Sequence, residues 1–127
     1  MVYIIYYIYN KILEGSISMI LATTSNVEGM NVKEYRGIIF GEAVVGIDFV
    51  RDFGANITNF FGGRSKEYEE EIANARADAV NEMVNRAKKI GANAVIGIKV
   101  DVESIAMSNN RSSMIIVTAT GTAVIVE

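Results

Sequence analysis

Gly62-Gly63-Arg64-Ser65 and Gly91-Ala92-Asn93-Ala94-Val95-Ile96-Gly97 are the two stretches that decide the fold of this chain. Between them, apolar residues recur three and four positions apart, which predicts a long amphipathic helix beginning at Lys66. Ser65 is suited to cap its first turn, and Gly91 stands where a left-handed residue ends a helix. Acidic residues fill the first turns and basic residues the last, as the helix dipole favours.

Strand patterns lie on both sides of this helix. Residues 92–103 alternate, which predicts Ala94, Ile96, Ile98, Val100 and Val102 on one face, with Lys99, Asp101 and Glu103 on the other. Residues 104–113 read as a hairpin connection to a last strand over 114–126, and residues 32–45 form an earlier strand. A right-handed crossover makes the first two long strands parallel, and the hairpin strand lies between them.

We therefore predict a two-layer α+β fold with a three-stranded sheet in the order 1-3-2, a split β-α-β unit with a hairpin. A short N-terminal strand is expected near residues 19–22. A second, short helix is expected over residues 47–61, in addition to the long one.

The strand over residues 32–45 is apolar on both faces. Alternation places Ile38, Phe40 and Val44 on one face with Arg36 and Glu42, and the other face has Tyr35, Ile39, Ala43 and Val45. One long helix covers only one face of the sheet, and large exposed apolar surfaces are rare on soluble monomers. The pattern therefore predicts a homo-oligomer in which the open face packs on neighbouring subunits.

Residues 1–18 are expected to be a leader that precedes the true start at Met19, disordered or loosely attached, with a single domain over residues 19–127. The apolar run at residues 1–9 is about half as long as a membrane span. With 12 Lys and Arg against 15 Asp and Glu, the net charge of -3 argues against a nucleic-acid partner. The absence of cysteine suits a cytoplasmic location. The expected partner is the chain itself, with no nucleic acid and no membrane.

Chemistry is limited by the absence of histidine and cysteine, the residues on which most acid–base, nucleophilic and soft-metal sites depend. The candidate metal ligands are the carboxylates of Asp101, Glu103 and Glu42, which would suit a hard divalent cation if symmetry repeated them. Solvated surface acids are the simpler interpretation. No cofactor is expected, and no motif places a nucleophile beside a base, so we predict that the chain is not an enzyme.

Glycines before a helix N-terminus can also bind an anion. Gly62, Gly63, Arg64 and Ser65 are the candidate anion-binding residues, with Arg64 the informative one. The spaced glycines and lysine of nucleotide-binding loops are absent here. A tight turn followed by a helix cap is the simpler interpretation.

From Met19 to Glu127 the sequence resembles the YbjQ-like family, labelled "putative heavy-metal-binding". The residues that carry the resemblance follow one another in the expected order: Thr23-Thr24, Glu28-Gly29, Tyr35, Gly41-Glu42-Ala43, Arg51-Asp52, Gly62-Gly63-Arg64-Ser65, Tyr68, Ala75-Arg76, residues 91–97, Asp101, Met114 and Gly121-Thr122-Ala123-Val124. The resemblance implies a dodecin-like subunit assembled into a homopentamer, and no established activity. Two positions depart from the family pattern. Asp48 stands where asparagine is expected, and Arg36 where other members can have cysteine.

Taken together, the sequence predicts a cytoplasmic homo-oligomer, a pentamer by the family resemblance, with a binding or structural role. The alternative is a binder of a metal ion through oxygen ligands, or of an anion, that uses the symmetric assembly as its cage.

Overall fold

The structure, a computed structural model, describes residues 19–48, 66–106 and 112–127. In chain order its elements are β1 (Ile20–Leu21), β2 (Val32–Asp48), α1 (Lys66–Lys89), β3 (Ala94–Ala106) and β4 (Ser112–Val126). The strands form one mixed sheet in the order β1-β3-β4-β2, with β4 antiparallel to both long neighbours and β1 parallel to β3. The helix packs on one face, mainly against β2 and β4. This is a two-layer α+β arrangement.

The three long strands have the predicted order, but the sheet has four strands rather than three. The short strand β1 joins it because Ile20 and Leu21 lie in register with Ala94 and Val95. The amide of Ile20 donates to the carbonyl oxygen of Asn93 at 3.1 Å, and the amide of Ala22 donates to that of Val95 at 2.9 Å.

Several sequence predictions lie outside the described residues. They are the leader over residues 1–18, the cap and anion motif over residues 62–65, the tip of the hairpin over residues 107–111, and the short helix from residue 49 onward. Residues 47 and 48 were predicted to start that helix, and this is wrong. They continue β2, because pairing with β4 extends to Asp48 opposite Ser112.

The end of α1 follows the prediction in detail. Gly91 has a φ of 79°, its amide donates to the carbonyl of Lys88 at 3.0 Å, and the amide of Ala92 donates to that of Ala87 at 3.1 Å. These two bonds form a Schellman motif, which satisfies carbonyl groups that the helix leaves unpaired. The chain then turns directly into β3.

The helix lies so close to the sheet that only glycine fits beneath it. A Cβ atom at Gly41 of β2 would collide with the carbonyl oxygen of Ala79 and lie 2.6 Å from the backbone nitrogen of Met83. Ala75, Ala79 and Ala87 are buried along the same side of α1 and keep the distance short. The main core lies between this alanine-rich side and the sheet.

The predicted regular alternation of β3 is wrong, because the strand contains a bulge. Three steps from Ile96 to Lys99 oppose two steps from Thr122 to Thr120, and Gly97 between them has a φ of 61°. The extra residue exchanges the two faces. Ile96 therefore packs away from the helix, whereas Val100 and Val102, opposite Ala119 and Val117, lie on the helix side.

A second bulge corrects the predicted faces of β2. The register shifts between Tyr35 and Gly37, so Tyr35 lies opposite Val124 on the open side, the same side as Ile38. The guanidinium of Arg36 lies on the helix side, 3.9 Å from where a Cβ atom of Gly91 would stand. The predicted placement of Tyr35 with Ile39 and of Arg36 with Ile38 is therefore wrong.

Asn93 fastens the start of β3 to the end of β4. Its side-chain amide donates to the carbonyl of Val126 at 2.8 Å, and its side-chain oxygen accepts from the Val126 amide at 2.8 Å. The side chain thus extends the sheet as a backbone group would.

A second small core lies on the open face of the sheet, where the chain over residues 20–32 covers it. Its buried residues are Val27, Ala94, Ile96, Val124 and Val126.

Candidate functional site

The three carboxylates predicted as metal ligands share the open face of the sheet. Glu42 of β2 and Asp101 of β3 both lie opposite Thr118 of β4, one on either side of it. Two strand spacings therefore separate them, about 10 Å. Glu103 follows on the same face of β3, opposite Ile116. Asp101 and Glu103 are neighbours, whereas Glu42 lies across the sheet from them.

Glu42 forms an ion pair with Arg86 of the helix. The Nη1 group of Arg86 donates to the Glu42 carboxylate at 2.8 Å and to the carbonyl oxygen of Phe40 at 2.9 Å. Its Nε group donates to Glu82, one turn earlier in the helix, at 3.1 Å. The hydrogen bond to Glu42 raises the pKa of the Arg86 guanidinium. Arg86 therefore ties α1 to β2 and occupies one carbonyl of an edge strand, which protects that edge from unwanted pairing.

The donor set of this chain does not fit a heavy-metal centre. Thiolate and imidazole are the ligands such ions prefer, and the chain contains neither cysteine nor histidine. Within residues 19–48, 66–106 and 112–127, no three acidic side chains come together in a way that could hold a metal ion. The thioethers of Met19 and Met83 are fully buried in the main core, where they pack as hydrophobic groups.

The other predicted site, Gly62, Gly63, Arg64 and Ser65, precedes the first described residue of α1. At the opposite end of the helix, Arg86, Lys88 and Lys89 form the basic last turn. Burial lowers the pKa of the Lys88 ammonium, because removal from water disfavours its charged form. The positive end group of this turn is therefore partly desolvated.

The most prominent surface feature is apolar. We call Tyr35, Ile38, Phe40 and Val44 the β2 patch: they lie on the open side of β2 and are 71%, 73%, 47% and 59% exposed. We call Val100 and Val102 the β3 patch: they lie on the helix side of β3, opposite Ala119 and Val117, and are 38% and 40% exposed. Ile105, which is 47% exposed, lies on the open side of the same strand, opposite Met114. The two patches are on the two outer long strands of the sheet.

Sequence reasoning missed the role of Arg86, which it treated only as a charge favourable to the helix dipole. A signal exists in the sequence, because Arg86 lies three residues beyond Met83, the residue that covers Gly41, and Glu42 follows Gly41 directly. It also missed the β3 patch, because the bulge at Gly97 cannot be read from alternation.

Comparison with known proteins agrees with the resemblance seen in the sequence. The family model described as "putative heavy-metal-binding" matches residues 19–127. Proteins named UPF0145 from Listeria welshimeri and Listeria monocytogenes are each 51% identical over 109 residues, covering 86% of this chain and 96% of the relative. A crystal structure of a protein of unknown function from Pediococcus pentosaceus, in the DUF74 family, has a similar fold, with a TM-score of 0.59, 14% identity and coverage of 86% and 98%.

No helix in the described part of the chain is long and apolar enough to cross a membrane. With the match over residues 19–127 and relatives at 51% identity, the chain belongs to the YbjQ family.

Proposed function

We propose that this protein acts as a homo-oligomeric subunit, a pentamer as the family resemblance implies, with a binding or structural role in the cytoplasm. The observation that carries the proposal is the β2 patch. Four large apolar side chains project from one side of one strand, where neither the helix nor the chain over residues 20–32 covers them. Surfaces of this kind mark sites of association.

The size of the β2 patch fits a protein partner. At roughly 150–200 Å² per large side chain, the exposed fractions amount to about 400–500 Å² of apolar surface. A standard interface buries about 800 Å² on each side, of which somewhat more than half is apolar. The patch therefore has the size expected for the apolar part of one such interface.

Light scattering on the full chain tests the proposal. We expect a single species of several subunits at micromolar concentration, and a loss of mass when Ile38→Thr and Val44→Thr are combined. Ile90→Thr is the matched control, since Ile90 is also exposed, at 39%, but lies at the end of the helix and outside both patches. A folded monomer of the unmodified chain at micromolar concentration contradicts the proposal.

A second function is favoured by the position of Asp101 and Glu103. Both are exposed on the open side of β3, two residues apart, on a surface that association between subunits would multiply. Repeated carboxylates suit a hard cation such as calcium or manganese. The residues over 62–65 remain the alternative, for an anion.

Thermal unfolding separates these alternatives. A ligand that binds the folded state raises the midpoint in proportion to the logarithm of its concentration above Kd. Calcium or manganese should raise it if the carboxylates bind, and Asp101→Ala should abolish the rise. Phosphate should raise it if residues 62–65 bind, with Arg64→Ala as the sensitive variant. An unchanged midpoint with calcium, manganese, zinc and phosphate removes the second function and leaves the first intact.

A further inference from the structure

We propose that residues 49–61, which lie between β2 and α1 in the sequence, dock on the β3 patch of the same chain as a short second helix. The docking surface lies within the described residues, whereas its occupant is a segment outside them. The proposal concerns the helix side of the sheet and is independent of the proposed oligomer, which uses the open side.

The β3 patch is an apolar surface beside α1. Val100 and Val102 lie next to buried residues of β4 on the helix side, yet they are 38% and 40% exposed. The helix packs mainly against β2 and β4, and Arg86 holds one side of it at the edge of β2. The helix side of β3 is therefore left uncovered by α1.

The space above the β3 patch has the width of one helix. Packed helices lie about 8–10 Å apart, and β3 lies one to two strand spacings, about 5–10 Å, from the strands that α1 covers. On the side of α1 away from Arg86, helical geometry places Ala73, which is exposed and small. A second helix can therefore approach α1 closely while it stands over β3.

The proposed occupant has the apolar residues that this contact needs. Phe49, Phe53, Ile57 and Phe60 recur three and four positions apart, a spacing that would put them on one side of a helix. Burial of such side chains stabilises a fold by about 1.5–3 kcal/mol each. The segment therefore gains from contact with an apolar surface, and the β3 patch offers one.

The segment starts near the β3 patch. Asp48, the last residue of β2, lies opposite Ser112, and Ala106, the last residue of β3, lies opposite Ser113. The ends of these two strands are therefore about two strand spacings, or roughly 10 Å, apart.

The segment also ends near the β3 patch. A Cβ atom at Gly41 would meet Ala79, so these two residues lie at the same level of the two layers. Lys66 is about 20 Å along the helix from Ala79, and Asp48 is about 23 Å along β2 from Gly41. Because the helix runs back along β2, both ends of the segment lie at one end of the sheet.

The β2 patch suits this segment less well. It lies on the open side, so the segment would have to pass round an edge of the sheet and return to reach α1. The size of the β3 patch points the same way. Two partly exposed valines are too little surface for an interface between proteins, which buries about 800 Å² on each side, but they suit a short segment.

The natural absence of cysteine allows a test by thiol labelling in the full chain. Val102→Cys reports on the β3 patch and Ile38→Cys on the β2 patch, and mass spectrometry follows the rate of reaction with a maleimide. Each reporter is combined with Phe53→Ser and Ile57→Ser, which remove apolar groups from the segment. The matched control combines each reporter with Arg51→Ser and Ala55→Ser, on the other side of the same predicted helix.

We expect the two apolar substitutions to accelerate labelling of Val102→Cys by about tenfold or more, because they weaken the contact that covers it. Labelling of Ile38→Cys should change by less than about twofold, and the control substitutions should change neither rate. An unchanged rate at Val102→Cys would overturn the proposal. Equal acceleration at both reporters would overturn it as well, since it would show general loosening.

A second measurement asks which copy supplies the segment. Ile57→Cys and Val102→Cys are combined, treated with a short bismaleimide linker and resolved on a denaturing gel, with Ile57→Cys and Ile38→Cys as the control pair. We expect a linked product with the mass of one chain from the first pair only. Dimers and larger products, or no link, would overturn the proposal. Light scattering tests the proposed oligomer separately, so either idea can fail without the other.

Discussion

At the scale of single residues, Gly41 shows how a small side chain fixes the distance between layers. Any Cβ atom there meets backbone atoms of Ala79 and Met83, which cannot move without the whole helix. We expect Gly41→Ala to lower the free energy of unfolding by about 3 kcal/mol, since overpacking against backbone is poorly relieved. Gly46→Ala is the control. It lies in the same strand with open space around it, and its effect should remain within about 0.5 kcal/mol. Urea unfolding measures both variants, and an equal loss of unfolding free energy in Gly41→Ala and Gly46→Ala would contradict this account.

Lys88 gives the molecule a pH dependence with a definite sign. Its pKa in the folded state lies below the ordinary value of 10.5. Between these two values the unfolded chain binds more protons than the folded one, so this group makes stability rise as the pH rises toward 10.5. Relative to Lys88→Met, the unmodified protein should therefore gain stability as the pH rises toward 10.5 in chemical unfolding. Lys89→Met removes the same charge from the same turn, and an identical trend for both variants would argue against desolvation of Lys88.

Individual residues were predicted unevenly from the sequence. Gly91 was identified correctly, because a helix that ends in a left-handed glycine leaves a local signature. The role of Arg86 was not identified, because its partners Glu42 and Phe40 lie more than forty residues away in sequence. Local backbone geometry is determined by residues that are close in sequence, whereas contacts between the helix and the sheet depend on how these two layers pack together.

At the scale of elements, the bulge in β3 depends on the left-handed backbone of Gly97. No atom lies within 4 Å of an added Cβ, so a substitution there is opposed by backbone conformation and not by crowding. Gly97→Ala should cost about 1–2 kcal/mol, and Gly97→Asn clearly less, because asparagine tolerates this conformation. Thermal unfolding of the two variants checks the order. A larger loss of stability for Gly97→Asn than for Gly97→Ala would mean that the added side chain collides with neighbouring atoms at this site.

The same bulge explains which part of the sheet could not be predicted. The order of the three long strands followed from the crossover rule and the hairpin, which depend only on the sequence of elements. The faces on which the side chains of β3 and β2 lie could not be predicted, because the two-residue alternation of a strand is interrupted by an inserted residue. Gly97 and Gly37 were visible as glycines within strands, a known mark of bulges, but their backbone conformations were not. The position of the β3 patch on the helix side is a direct consequence of the register shift at Gly97.

At the scale of the whole molecule, the same limits apply to the candidate site. The sequence correctly placed Asp101 and Glu103 on one side of a strand, and it could show that soft-metal ligands are missing. It could not show that Glu42 is held by Arg86 and lies across the sheet from the other two carboxylates. The described part of one chain therefore does not bring the three carboxylates together.

Assembly should also be visible in stability. If the β2 patch is buried only between subunits, association stabilises the folded chain by mass action, and the unfolding temperature must depend on protein concentration. We expect Tm to rise over a hundredfold increase in concentration. The combination of Ile38→Thr and Val44→Thr should lower Tm at high concentration and flatten the dependence, because the apolar surface that drives association is lost. Ile90→Thr should retain the slope of the unmodified protein. Calorimetry at matched concentrations measures all three, and a Tm of the unmodified chain that is independent of concentration would show that the patch stays in water.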